Sequence, residues 1–256
     1  MNLEFLVLAN VVLLTRLVLL WRDEAPSGAA WLAKGCVELA IAAICFDFSM
    51  VWCGVAATVA VTNGLGWMVD RRVRPKNGLR LLVGLIGLLA LSVVGAPGAG
   101  LEFRAGLVEI GREASVRTAF APLLLVAFSV PVQLGLFGLL LAANEANLAI
   151  RAAFDWLNLK PRMRRRGVEL AQEFDVGEYN RGRVIGLLER ALLYLFVLQG
   201  LYGAIGFVLA AKAFTRFKAL DDRSFAEYVL IGTLLSACMA LAVGGAVKWL
   251  LGGAGL

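Results

Sequence analysis

Six or seven apolar segments, each long enough to cross the hydrocarbon core of a bilayer, constrain this chain more than any other feature. A core of about 30 Å needs roughly 20 helical residues. Inside it every backbone polar group must find a partner within the protein, which leaves helices or closed barrels. A barrel would alternate polar and apolar residues over segments of about ten, and the runs here are longer and continuously apolar. The sequence therefore predicts an all-α, polytopic helical membrane protein with about seven (six or seven) transmembrane helices. Composition agrees, at 60% hydrophobic and 17% charged, with a mean hydropathy of +0.80. Soluble domains sit nearer half and a quarter.

Residues 1–150 read as N-terminal membrane helices, with spans near 3–21, 29–46, 48–68, 79–95 and 119–143. Residues 151–183 form a basic cytoplasmic loop with an interfacial segment, and 184–250 a C-terminal helical hairpin. The start carries Glu4 and lacks a basic n-region and a small-residue cleavage site, so Leu3 to Trp21 reads as a retained span. Arg16 is expected to snorkel toward Arg22 at the end of that span. Ala29 to Met68 would be roughly 60 Å as one helix, too long for one crossing, and is divided near Cys45 to Ser49 with Asp47 in the turn. Lys34 and Glu38, four apart, share a face and can pair. Gly100 to Thr118 suggests a short surface helix, and Pro131 a kink within its span.

The net charge of +6 is concentrated in two segments, Arg71 to Arg80 and Arg151 to Arg183. Basic residues beside spans mark cytoplasmic loops facing anionic headgroups. That predicts a bacterial cytoplasmic (inner) membrane with the N-terminus outside. Arg162, Arg164, Arg165 and Arg166 are the headgroup contacts, with Phe154, Trp156 and Leu157 as interfacial anchors. The same loop is available to a protein partner, and nucleic acid is excluded because the basic residues belong to no separate domain.

Catalytic signatures are missing. There is no histidine, the commonest metal ligand and neutral-pH acid-base group. Cys36, Cys45, Cys53 and Cys238 sit in apolar runs without CxxC spacing and read as buried structural thiols. No phosphate loop, HExxH helix or GxSxG elbow occurs. No cofactor, metal or catalytic residue follows from the sequence.

Six ionisable residues are candidates for a polar site: Glu189, Arg190, Lys212, Arg216, Glu227 and Glu145. Intramembrane acids are costly and mark pathways for ions or protons. Each has a plainer account. Glu189 and Arg190 sit near the headgroups, where ordinary ion pairing suffices, Lys212 and Arg216 anchor a helix end, and Ser224 to Glu227 forms a capping box. Glu145, with Asn144 and Asn147, sits at a solvated helix exit. Small residues at helical spacing predict a packing seam through Gly186, Gly200 and Gly203 on one run, and Gly232, Ser236, Ala240 and Gly244 on the next.

Three segments of that seam, IGLLER, AIGFVLAAKAFTRFK and FAEYVLIGTLLS, occur in this order between Gly182 and Val243. In this the C-terminal quarter resembles a bacterial multi-pass membrane-protein family known as domain of unknown function 3307. The resemblance implies Glu189, Arg190, Lys212, Arg216, Glu227 and Gly232 as matching positions, and no reaction. Members often carry histidine in their N-terminal segment; this chain has none, so an activity depending on it does not transfer.

The expected function is a non-enzymatic role in binding, scaffolding or sensing through the basic loop. The alternative is a small-molecule or ion transporter or channel using Glu189 and Glu145. A third reading is a membrane-embedded enzyme that binds a lipid phosphate with Lys212 and Arg216.

Overall fold

A computed structural model describes residues 2–21, 26–72, 76–109, 126–159, 176–216 and 223–253. Among these the chain is helical apart from turns and one isolated antiparallel bridge, Phe46 to Phe103. It forms two compact units, Met1–Leu148 and Ala149–Leu256.

Five described helices are long and apolar enough to cross a bilayer: Gly28–Cys45, Met50–Arg72, Asn77–Val94, Val130–Trp156 and Ala226–Gly252. Their outer faces carry large apolar side chains, among them Leu32, Ile44, Val61, Leu89 and Trp249. In water such a surface would aggregate; against lipid tails it costs nothing. This is a multi-pass membrane protein.

Two expected crossings are interrupted. The first apolar run is α1 (Leu3–Arg16) and the single turn α2 (Val18–Trp21), parted only at Leu17, which keeps right-handed helical angles of φ −56° and ψ −21°. The run from Val184 to Ala211, roughly 42 Å as one helix, is broken at Gly200. Here α8 (Val176–Gln199) ends and α9 (Tyr202–Arg216) begins. Gly200 adopts a positive φ of 73°. Its N–H donates to the Val197 carbonyl at 3.1 Å, and that of Leu201 to Phe196 at 2.8 Å. These are the two bonds of a glycine-terminated helix end. Lys248 adds a donor to the Val197 carbonyl at 3.2 Å.

In the first unit, α1 packs against α3 (Gly28–Cys45), α5 (Asn77–Val94) and α6 (Val130–Leu140). It is mostly apolar and largely buried, and Leu6, Ala9 and Leu13 expose no surface. Asn10 fixes it to α6 by donating to the Gln133 side chain at 2.7 Å. α4 (Met50–Arg72) pairs with α3 and α5. The α3–α4 turn falls between Cys45 and Met50. Asp47 N–H donates to Glu102 O at 3.1 Å, Arg104 N–H to Cys45 O at 2.9 Å, and Phe46 stacks on Phe103. Residues 101–104 are thus extended along that turn, where a surface helix was expected; a helical turn follows at 105–109. Pro131 lies in the first turn of α6 and produces no kink. A missing N–H is harmless there, because first-turn donors have no intrahelical acceptor. After α6 comes a π-helical turn, Leu141–Glu145, and then α7 (Ala146–Trp156), so helix continues well past the expected end at Ala143.

All four cysteines are free. Cys36, Cys53 and Cys238 are exposed and Cys45 is half-buried, against the expectation of buried thiols. On a spanning helix an apolar position faces lipid as readily as core.

In the second unit, α8 packs along α10 (Arg223–Gly253) over Leu193, Val197, Ala237 and Ala240. The α10 half of the expected seam is in contact. A Cβ on Gly244 would lie 2.9 Å from Val197 Cβ, and one on Gly232 2.9 Å from Phe154 Cζ; Ser236 and Ala240 are buried. On the other half, Leu193 packs in this core but the expected glycines are not contact positions among the described residues. Gly203 has nothing within 4 Å, Gly186 meets only the Arg190 head on its own helix, and Gly200 is a terminator. The helix break explains this, because turning the chain at Gly200 takes Gly203 off the α8 stripe. Comparable glycine contacts occur in the first unit, where Gly66 lies against Trp31, Gly84 against Arg16 and Gly87 against Thr62.

Candidate functional site

Among the described residues of the first unit, six buried charged side chains form three pairs, apart from the exposed Arg104–Asp47 pair. Arg16, at the end of α1, donates from Nε to Glu145 Oε1 at 2.7 Å and from Nη2 to Oε2 at 3.0 Å. The two side chains are 5% exposed each. Arg16 Nη2 also donates to the Arg80 carbonyl at 2.9 Å. Arg80 in turn holds Asp70 Oδ1 at 2.6 Å, and Trp31 Nε1 donates to Asp70 Oδ2 at 3.0 Å. Lys34 meets Glu38 Oε1 at 2.6 Å and Asn63 Oδ1 at 2.9 Å, while Asn63 donates to Glu38 Oε2 at 2.6 Å. Thr15, next to Arg16, donates to the same Glu38. The network links α1, α3, α4, α5 and the π-helical turn.

Local structure builds this arrangement. Glu38 lies ten residues into α3, about 15 Å along its axis, and so near the middle of a span. Asp70 and Arg80 sit at the ends of α4 and α5 that flank residues 73–75. Gly84 lacks the Cβ that would come within 2.5 Å of the Arg16 Cζ, so the guanidinium lies flat on α5. The π-helical turn inserts an extra residue into the ladder of the spanning helix. Ala142, Asn144 and Glu145 all turn inward there, and Asn144 donates to Glu145 at 2.9 Å. Wide turns of this kind are concentrated at functional sites.

The charges balance: Arg16, Lys34 and Arg80 against Glu38, Asp70 and Glu145. Balance alone does not make such a cluster favourable, since desolvation of buried ions consumes much of the attraction between them. Hydrogen-bonding capacity is also left over. Arg80 Nη2, Asn144 Oδ1 and Asn10 Oδ1 are buried and have no partner among the described residues.

In the second unit Glu189 pairs with Lys212, joining α8 to α9; their side chains are 6% and 18% exposed. Arg190 instead reaches α10, with Nη1 3.4 Å from Ser236 Oγ. Glu227 is exposed near the start of α10. The Arg216 side chain, Arg162, Arg164, Arg165 and Arg166 lie outside the described residues, as does part of the Ser224 to Glu227 capping box.

Two expectations are overturned. Glu145 is not at a solvated exit; it is 4% exposed and holds a cation. Arg16 does not snorkel, because Glu145 and the Arg80 carbonyl satisfy it inside the protein. Asp70, Arg80, Asn63 and Trp31 were not singled out by sequence reasoning. Asp70 and Arg80 flank a basic loop and read as part of it. The available signal was that Asp70 is the single acid within an otherwise basic segment.

Two cavities accompany the network. One, about 260 Å3, is a groove between α4 and α5 lined by Ala57, Thr58, Val61, Leu65 and Ile86; it is almost wholly apolar. The other, about 10 Å3, lies among Arg16, Lys34, Trp31, Thr62 and Gly84. No family model, curated protein or solved structure matches the chain.

Proposed function

We propose that this chain is a membrane transport protein that passes a proton or a comparably small ion through the charged network of its first unit. The observation that carries the reading is Glu145. It is a buried carboxylate on a π-helical turn of a spanning helix, paired with Arg16 within a network of six ionised groups. A scaffold has no use for six buried charges, since apolar residues of similar volume would hold the helices as well or better. Ionisable groups inside spans mark ion and proton routes. The cavity beside Arg16 and Lys34, about 10 Å3, has room for a water-sized species, in keeping with a proton or a small ion as cargo.

Under this reading the segment Arg71 to Arg80 faces the cytoplasm, by the positive-inside rule. The chain resides in a bacterial cytoplasmic membrane, with Arg162 to Arg166 on anionic headgroups. Counting residues 3–21 and the α8–α9 pair as crossings brings the spans to about seven. The resemblance of the C-terminal quarter to domain of unknown function 3307 is part of the proposal and adds no reaction. The Glu189–Lys212 pair is assigned to holding α8 and α9 together.

The test is flux in liposomes that hold the purified protein and a trapped pH-sensitive dye. Under an imposed potential, wild-type vesicles are expected to pass protons, or one small ion, well above protein-free vesicles. Glu145→Gln, shown to be folded by size exclusion and circular dichroism, should lose tenfold or more. Wild-type vesicles as tight as protein-free ones to protons, Na+, K+ and Cl− would overturn the reading.

A further inference from the structure

A small cavity in the first unit adjoins two of the three ion pairs, through Arg16 and Lys34. Its lining combines the cations Arg16 of α1 and Lys34 of α3 and the hydroxyl of Thr62 on α4 with Trp31 and an apolar wall that includes Val12, Val83 and Leu91. At about 10 Å3 it has the size that a single water requires. Two of its lining residues carry unused donors. Lys34 has three N–H groups and places two of them, on Glu38 and Asn63. Arg16 places Nε and Nη2 on Glu145 and the Arg80 carbonyl, and among the described residues Nη1 has no bonded acceptor.

We infer that the cavity is a binding site for one internal water, which accepts from Arg16 and from Lys34 and joins the Arg16–Glu145 pair to the Lys34–Glu38 pair. Oxygen has two lone pairs to meet two cationic donors, and the Thr62 hydroxyl oxygen at the cavity wall is an acceptor for one of the water's hydrogens; the Trp31 ring faces the Lys34 ammonium, 5.6 Å from its centroid. A neutral occupant fits, because Glu38, Asp70 and Glu145 already offset the three cations. An anion would add an uncompensated buried charge. The water completes a polar path from Glu38, at mid-span, through Arg16 and the Arg80 carbonyl to Asp70 beside the basic loop. For its part in transport the inference rests on the reading above; for the water itself it does not.

Infrared difference spectra of the purified protein in lipid, recorded in H2 16O and in H2 18O, detect such a water by the oxygen-isotope shift of its stretching band. Val83→Ile and Val12→Ile each add one methylene to the lining of the cavity, from α5 and from α1, and leave every charged group in place. The wild type is expected to show an isotope-sensitive internal band, lost in at least one of the two folded variants. No such band in the wild type, or a band unchanged in both variants, overturns the site. So does a wild-type band that disappears only on exchanging chloride for a large anion, which would assign the cavity to an anion. Proton flux measured on the same samples separates the two proposals. A band that behaves as expected in a protein passing no ions removes transport and keeps the water.

Discussion

Replacing Arg16 with Met tests whether the network stands as a coupled unit. The substitution keeps most of the aliphatic stem and removes three hydrogen bonds, two to Glu145 at 2.7 and 3.0 Å and one to the Arg80 carbonyl at 2.9 Å. Glu145 would keep only its bond from Asn144, leaving a carboxylate that is 4% exposed without its cation. Removing one partner of a buried pair costs about 3–5 kcal/mol. Glu145→Leu, which strands Arg16 instead, should cost a similar amount. The double variant Arg16→Met with Glu145→Leu leaves neither charge, and apolar replacements of whole buried pairs range from neutral to stabilising by about 1–4 kcal/mol. It should therefore return to wild-type stability or above, although each single change is severe. Equilibrium unfolding in lipid–detergent micelles, titrated with a denaturing detergent and followed by circular dichroism, measures all four proteins. A double variant no more stable than the singles would refute the coupling. So would a loss below about 1 kcal/mol in either single, since that is the range of an exposed pair.

The glycines of the second unit give two further tests. Gly244→Ala places a Cβ 2.9 Å from Val197 Cβ and 3.4 Å from the Tyr194 carbonyl, so α10 must move off α8 at about 1–3 kcal/mol. Gly203→Ala meets nothing within 4 Å, sits in a helix, and should be neutral or stabilising by up to about 1 kcal/mol; equal losses from the two variants in the same unfolding assay would remove the distinction drawn between them. Gly200→Ala must hold a φ of 73°, at about 1–2 kcal/mol. Its helix content by circular dichroism should stay the same, and a rise would mean that α8 and α9 had fused.

The sequence already carried the division into helices. The turn between Cys45 and Met50 was legible because forty apolar residues cannot be one crossing, and the Lys34–Glu38 pair because four residues bring side chains to one face. The α10 contacts were legible for the same reason, as Gly232, Ser236, Ala240 and Gly244 are fixed to one stripe by helical geometry. The break at Gly200 was not. A glycine in an apolar run serves equally as a packing position and as a terminator, and the choice depends on whether Lys248 and Leu201 arrive to satisfy the freed carbonyls.

The candidate site was legible only in part. Glu145 stood out as an acid at the end of an apolar run, but its depth depended on a π-helical turn that no periodicity announces. Arg16 and Glu145 are 129 residues apart, and neither carries a mark of the other. By itself the sequence determined that the chain is mainly helical and that several of its helices are apolar enough to cross a bilayer, because hydropathy and helical spacing are local properties. Which buried charge meets which is a matter of long-range packing, and tertiary structure alone decided it.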